Sequence, residues 1–288
     1  MFGSRLAASA PLVLLLAAPV ANAEEAWTAS GFEQPESVVY DSGRDVFYVS
    51  NIAGELTAKD GVGYISRLAA DGSVQEAQWV AGLDAPKGIV LAGDMLYVSD
   101  IDRLVAVDVE SGEISGTWPA EGAVFLNDTA VDAAGRVYLA DTMTNRIYVL
   151  DGNGVTVWLE DDALAGPNGL EVRDGKLFVA AWGKGIQDDF TTKEPGRLLS
   201  VDLGTKAITP VGDGPGVGNL DGLEGDGAGG WLVTDWVAGG LHRIDADGNA
   251  EEILDLGQGS ADLEYLPDQK LAIVPMLLDG VVVAHRID

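Results

Sequence analysis

One feature constrains this chain more than any other: six polar residues recur at a near-regular interval, and each opens a short apolar run. They are Glu36, Lys87, Asn127, Asn168, Asp221 and Asp262, separated by 51, 40, 41, 53 and 41 residues. Each is followed, within 13 to 15 residues, by the end of a second run such as "MLYVSD", "RVYLAD" or "WLVTD". A third run then closes on a turn sequence, for example "RLAADGS" (67–73) or "RIDADGN" (243–249), and leads into a fourth. The runs are rich in β-branched and aromatic residues and are bounded by Gly and Asp, the composition of strands and hairpins. No long stretch carries the i, i+3, i+4 pattern of an amphipathic helix. A period of roughly 40–45 residues with four strands per unit is that of propeller blades.

The sixth unit has room for only three strands before the chain ends. The missing strand is predicted at the other end, because "AWTASGFEQP" (26–35) matches "QWVAGLDAP" (78–86), the outer strand of the first unit. The expectation is therefore an all-β, six-bladed β-propeller, residues 24–288 as one domain, its last blade closed by the N-terminal strand. Closing the ring leaves few free strand edges. Residues 1–23 read as a secretory signal peptide: Arg5, an apolar segment "APLVLLLAAPVA", and the small-residue site Ala21-Asn22-Ala23. That predicts a periplasmic or secreted protein, cleaved after Ala23, with no stable membrane insertion after cleavage. The net charge of −29 argues against a nucleic-acid partner, which requires a basic footprint. With no Cys, stability must come from the core rather than from disulfides.

In a blade, strand one starts on the face where strand two ends, so all six opening residues should ring the channel at one face. Asn168-Gly169 in "GPNGLEV" admits two readings, a tight turn or a ligand-holding Asn. Glu36 and Lys87 are poor turn formers, whereas Glu36, Asn127, Asn168 and Asp221 share a side-chain oxygen. Converging carboxylate and amide oxygens are hard ligands and suit Ca2+, Mg2+ or Mn2+ better than Zn2+ or Cu2+. The two His residues, His242 and His285, fall in third strands, away from the channel, which lowers the prospect of a His-based nucleophile triad or a zinc hydrolase.

These motifs resemble the SMP-30/gluconolactonase family of six-bladed propellers, and more distantly the paraoxonases and strictosidine-synthase-like proteins. The resemblance rests on "PESVVYD", "FLNDTAVDAAGRVYLADT", "PNGLEV" and "LDGLEGDGAGGWLVTDW", one per expected blade and in order. It implies that Glu36, Asn168 and Asp221 hold one divalent cation, Ca2+ first, with Mg2+, Mn2+ or Zn2+ as alternatives. It implies that Asn127 touches the metal, its water or the substrate, and that Asp221 doubles as proton acceptor. The activity so implied is metal-dependent hydrolysis of a small-molecule lactone or ester, with a polarised carbonyl and an activated water. Two residues depart from the family pattern: Ser37 replaces the usual Gly, and Phe125 stands where sugar-lactone hydrolases often place an Arg. Phe125 shifts the expected substrate toward a more apolar lactone or ester. Trp182 and Trp236, with two long loops at 51–63 and 182–196, are expected to shape the pocket. Lys87 reads either as a solvated channel lysine or as a residue orienting an anionic or polar substrate group. Asp128, Asp141 and Asp235 are read as strand-end or supporting residues around the site. The rival reading is a non-catalytic, metal-stabilised propeller that binds a periplasmic ligand or protein.

Overall fold

The structure is a computed structural model that describes residues 23–152 and 154–287. The expected signal segment, apart from Ala23, lies outside the described residues. Six four-stranded antiparallel sheets succeed one another along the chain. Blade 1 consists of Pro35–Asp41, Val46–Asn51, Gly63–Ala69 and Val74–Leu83, from the channel outward. The inner strands of blades 2 to 5 are Pro86–Ala92, Leu126–Val131, Pro167–Arg173 and Leu220–Gly225. Blade 6 runs Glu264–Leu266, Leu271–Met276 and Val281–Arg286, and its outer strand is Glu24–Ser30 from the other end of the chain. Glu24 pairs with Arg286 and Ser30 with Val281, so the first and last strands close the ring.

The pattern of burial explains the sequence pattern. Second strands are covered on both faces by neighbouring blades, so Val46–Asn51 is buried at every position and reads as a continuous apolar run. Outer strands face water, and most of Val74–Leu83 is exposed. Each blade-to-blade contact is filled by an apolar cluster. Tyr48, Ile65, Val98 and Val105 join blades 1 and 2, and Tyr138, Ile147, Val179 and Val201 join blades 3 and 4. Burying one such side chain contributes about 1.5–3 kcal/mol, so truncating Tyr138 to Ala should cost about 3–5 kcal/mol.

A bulge recurs at each opening residue of the first five blades. Pro167 pairs with Ala181 but Leu170 with Val179, which leaves two residues, Asn168 and Gly169, opposite one. The same shift places Glu36-Ser37, Lys87-Gly88, Asn127-Asp128 and Asp221-Gly222 in bulges. A bulge bends the strand and re-aims a side chain. Asn168-Gly169 is thus part of a strand rather than a hairpin turn, and neither residue has a positive φ. Gly169 is required by proximity: a Cβ there would lie 2.1 Å from the Asp221 carbonyl oxygen. Gly88 and Gly222 are equally crowded by the next blade, at 2.4 Å from the Cα of Asp128 and 2.6 Å from the Leu263 nitrogen. Hydroxyls on the second strands complete the bulges. The Ser37 N–H donates to Ser50 Oγ at 2.9 Å, and the Gly222 N–H to Thr234 Oγ1 at 2.8 Å.

Candidate active site

The bulges bring the opening residues to one end of the channel, beneath a cavity of about 180 Å3. Glu36, Lys87, Asn127 and Asp221 line it, as do Phe125, Trp182 and Trp236. Asn168 does not line the cavity; it is fully buried next to Asp221, and its Nδ2 donates to Asp221 Oδ1 at 3.2 Å. Asn127 is oriented in a similar way. Its Nδ2 donates to Thr142 Oγ1 at 3.4 Å, and that hydroxyl donates to the Pro167 carbonyl at 2.9 Å. Each amide nitrogen is tied to protein, which turns the amide oxygen to the other side of the group.

Two oxygens in this set are buried without a hydrogen-bond partner: Glu36 Oε2 and Asn168 Oδ1. A buried acceptor left unpaired costs about 1–3 kcal/mol, so such atoms mark places where something else supplies the partner. The electrostatics point the same way. Burial, and then the neighbouring Asp221 carboxylate, push the Glu36 carboxyl well above the usual range, against the pull of Lys87. Burial and then Asp262 push Asp221 up, against the hydrogen bond from Asn168. A cation between Glu36 and Asp221 would reverse both effects. Among the described residues no three His, Asp or Glu side chains group as a metal cage. The set here is two carboxylates and two amides, all oxygen donors.

The walls are apolar. Ile52 and Leu56 come from the first long loop, Trp182, Ile186 and Phe190 from the second, and Leu277 and Leu278 from blade 6. The second loop is braced internally. Gly183–Lys184 pairs with Glu194–Pro195, Trp182 Nε1 donates to the Phe190 carbonyl at 2.8 Å, and Asn219 Nδ2 donates to the Trp182 carbonyl at 3.0 Å. Trp182 and Trp236 stand with ring centroids 6.1 Å apart. Lys87 is not a solvated channel lysine: it is 1% exposed, and its ammonium lies 4.5 Å from the centre of the Phe125 ring.

The three remaining acids lie outside the cavity lining. Asp141 accepts from the Val124 and Phe125 N–H groups at 2.9 and 3.2 Å, and so fixes the backbone that carries Phe125 and leads into Asn127. Asp235 accepts from the Val237 and Ala238 N–H groups at 3.1 and 3.0 Å, capping the turn that carries Trp236. Asp128 joins two blades, accepting from Thr129 N–H and Leu170 N–H at 2.6 Å each. Sequence reasoning missed Gln34, Thr142, Met143, Leu277 and Leu278 in the lining. Thr142 carried a usable signal, a hydroxyl directly after the second-strand Asp; the loop residues have no repeat counterpart to align.

Neither protein-family models nor curated proteins give a match to this sequence. Solved structures do match. A gluconolactonase from Xanthomonas campestris superposes with a TM-score of 0.67 at 13% identity, covering 93% of this chain and 90% of that one. A catalytically inactive virginiamycin B lyase variant from Staphylococcus aureus, solved with quinupristin, gives 0.61 at 13% identity, over 93% and 100% of the two chains. The Pan2 WD40 domain of Neurospora crassa gives 0.59 at 12% identity, over 95% and 98%. A gluconolactonase, a lyase and a WD40 domain have architecture in common but not chemistry. What these likenesses establish is that the chain is a six-bladed β-propeller.

Proposed function

We propose that the protein is an exported, divalent-cation-dependent hydrolase of apolar lactones or esters, of the SMP-30/gluconolactonase type. The observation that carries this reading is the pair of buried, partnerless oxygens, Glu36 Oε2 and Asn168 Oδ1, beside Asp221 and next to an apolar cavity. The residues fit a hard cation: Glu36, Asn127, Asn168 and Asp221 offer oxygen donors only, and Ca2+ is the ion such a set suits best. When bound, the cation supplies Lewis-acid polarisation of the substrate carbonyl.

The remaining roles belong to the chain. Asn168 holds the Asp221 carboxylate through Oδ1. Asp221 Oδ2, to which no hydrogen bond is made among the described residues, would take the proton from an attacking water. Asn127, locked by Thr142, presents its amide oxygen to substrate or cation. Phe125, Trp182 and Trp236 exclude bulk water and hold an apolar substrate body, with Lys87 at the polar edge. The gluconolactonase among the structural likenesses supports hydrolysis of a cyclic ester as the reaction class.

The test is direct. Protein purified without its first 23 residues is analysed for bound metal, then assayed on a panel of lactones and aryl esters as wild type and as Asp221→Asn. The expected result is one cation per chain, hydrolysis by wild type, and a loss of at least about a hundredfold in Asp221→Asn. Stoichiometric cation with no hydrolysis on any substrate would leave a metal-stabilised binding propeller instead.

A further inference from the structure

Among the described residues lining the cavity Lys87 is the one cationic side chain, and it is buried. Of its three N–H donors, two go to backbone carbonyls: Leu56 at 3.0 Å and Ala85 at 3.1 Å. Phe125 lies over one side of the ammonium. Among the described residues no carboxylate forms an ion pair with it. The two that act on it electrostatically, Glu36 and Asp100, have other engagements. Asp100 accepts from Arg103 at 2.7 Å and from the Ala85 N–H at 2.7 Å. Glu36 belongs to the oxygen set assigned to the cation. A charge this deep is stable only when matched by an opposite one.

We propose that Lys87 anchors a carboxylate on the ligand, so that the cavity selects apolar molecules that also carry an acid group. The inference rests on the cation-binding reading given above. With a divalent ion between Glu36 and Asp221, those two charges are balanced; Asp100 and Asp84 share Arg103, and among the described residues Lys87 keeps no carboxylate within ion-pair distance. The rest of the lining then sets the ligand body. Ile52, Leu56, Phe125, Trp182 and Trp236 offer apolar and aromatic surface, and Lys87 supplies the single fixed positive donor. The implied substrate class is an aryl or alkyl lactone or ester bearing a carboxylate. A neutral sugar lactone, which needs several hydroxyl partners, finds few here.

The experiment reads binding rather than turnover. Calcium-loaded wild type is titrated calorimetrically with 3-phenylpropanoate and with 3-phenylpropanamide, its neutral isostere. The carboxylate is expected to bind at least about tenfold more tightly, the worth of one charge-assisted hydrogen bond in a buried setting. Lys87→Met and Lys87→Gln should each bring the two ligands to within about twofold, while both variants still melt cooperatively. The use of two variants guards against one that fails to fold. Equal binding of the two ligands by wild type overturns the proposal, and so does failure of both to bind. A preference that survives in Lys87→Met but vanishes on chelation also overturns it, because the cation is then the anchor. Neither ligand can be hydrolysed as an ester, so a protein that hydrolyses nothing still tests the role of Lys87. Loss of turnover in Asp221→Asn, conversely, says nothing for or against that role.

Discussion

The two ends of one ring of acids differ in a way that separates function from framework. Glu36 and Asp221, at the cavity, and Asp128, Asp262 and Glu264, farther along the channel wall, all have carboxyls pushed up chiefly by burial. Their partners differ. Asp128 receives two backbone N–H groups. Asp262 receives the Ser37 hydroxyl at 2.5 Å and the Leu263 N–H at 2.8 Å. Glu264 receives the Tyr40 N–H at 2.8 Å. In each case the donor, or one of two donors, belongs to a neighbouring blade, so these acids fasten blades together across the ring. Glu36, by contrast, keeps an oxygen without a hydrogen-bond partner among the described residues, and the only hydrogen bond to the Asp221 carboxylate among them comes from the amide of Asn168. Burial alone therefore does not mark a site here, and neither does an unpaired oxygen, since Glu171 Oε2 and Asn51 Oδ1 are also buried and unpaired away from the cavity. Glu36 and Asn168 differ in that their unpaired oxygens lie with Asp221 at the cavity end.

The largest expected effect breaks the cavity end. Glu36→Gln and Asp221→Asn should each lower calcium affinity by about a hundredfold or more, measured by calorimetric titration, because each removes one of two ligand charges. Asp262→Asn should move that affinity by less than about threefold; a loss as large as that of Glu36→Gln would erase the distinction drawn between the two ends. Next in size, Asp128→Ala strands the Thr129 and Leu170 N–H groups and should destabilise the fold by about 2–3 kcal/mol in denaturant melts, with calcium affinity nearly unchanged. Smaller again, Asn168→Ala should weaken calcium binding about tenfold and shift the thermal midpoint by only a few degrees. The opposite pattern, an unstable blade that binds calcium normally, would make Asn168 a framework residue like Asp128.

Much of this architecture was legible in the sequence because a ring of blades repeats. Six opening residues could be aligned with one another, and alignment showed that Asn168 shares its place with Glu36 and Asp221 rather than with turn residues. The match of Trp27 with Trp79 similarly located the closing strand. The bulge itself was not legible, since Asn-Gly gives the same local signal in a turn and in a strand whose neighbour approaches to 2.1 Å of a missing Cβ. Nor was the burial of Lys87, which depends on Leu56 and Phe125 arriving from two different connections. Glu171, Glu224 and Glu264 each lie two or three residues beyond an opening residue, a spacing that does not by itself say what they face. Only the three-dimensional spacing shows that Glu224 is raised by Glu264, after burial, as the leading neighbour.

The smallest expected effect sharpens the comparison through pH. Burial holds Asp262 up at about 6 and Glu264 up at about 7, while the same groups in an unfolded chain titrate near the ordinary carboxylate value of about 4. Between about pH 4 and 7 the folded, cation-free protein therefore binds more protons than the unfolded chain. Stability from these groups is full below about pH 4 and is lost as pH rises through 6 and 7. Acids held low by hydroxyl and backbone donors, such as Asp71 and Asp202, titrate below this window and do not oppose the trend. Cation-free protein should thus melt at higher temperature at pH 5 than at pH 7.5. Calcium should raise the midpoint more at pH 7.5, where Glu36 and Asp221 bind it with less competition from protons. Glu264→Gln should flatten the dependence on pH in the cation-free protein without altering calcium affinity. A midpoint that climbs steadily from pH 5 to 7.5 in the absence of calcium would mean that the channel acids are ionised and paired in the fold, and the contrast between the two ends would fail.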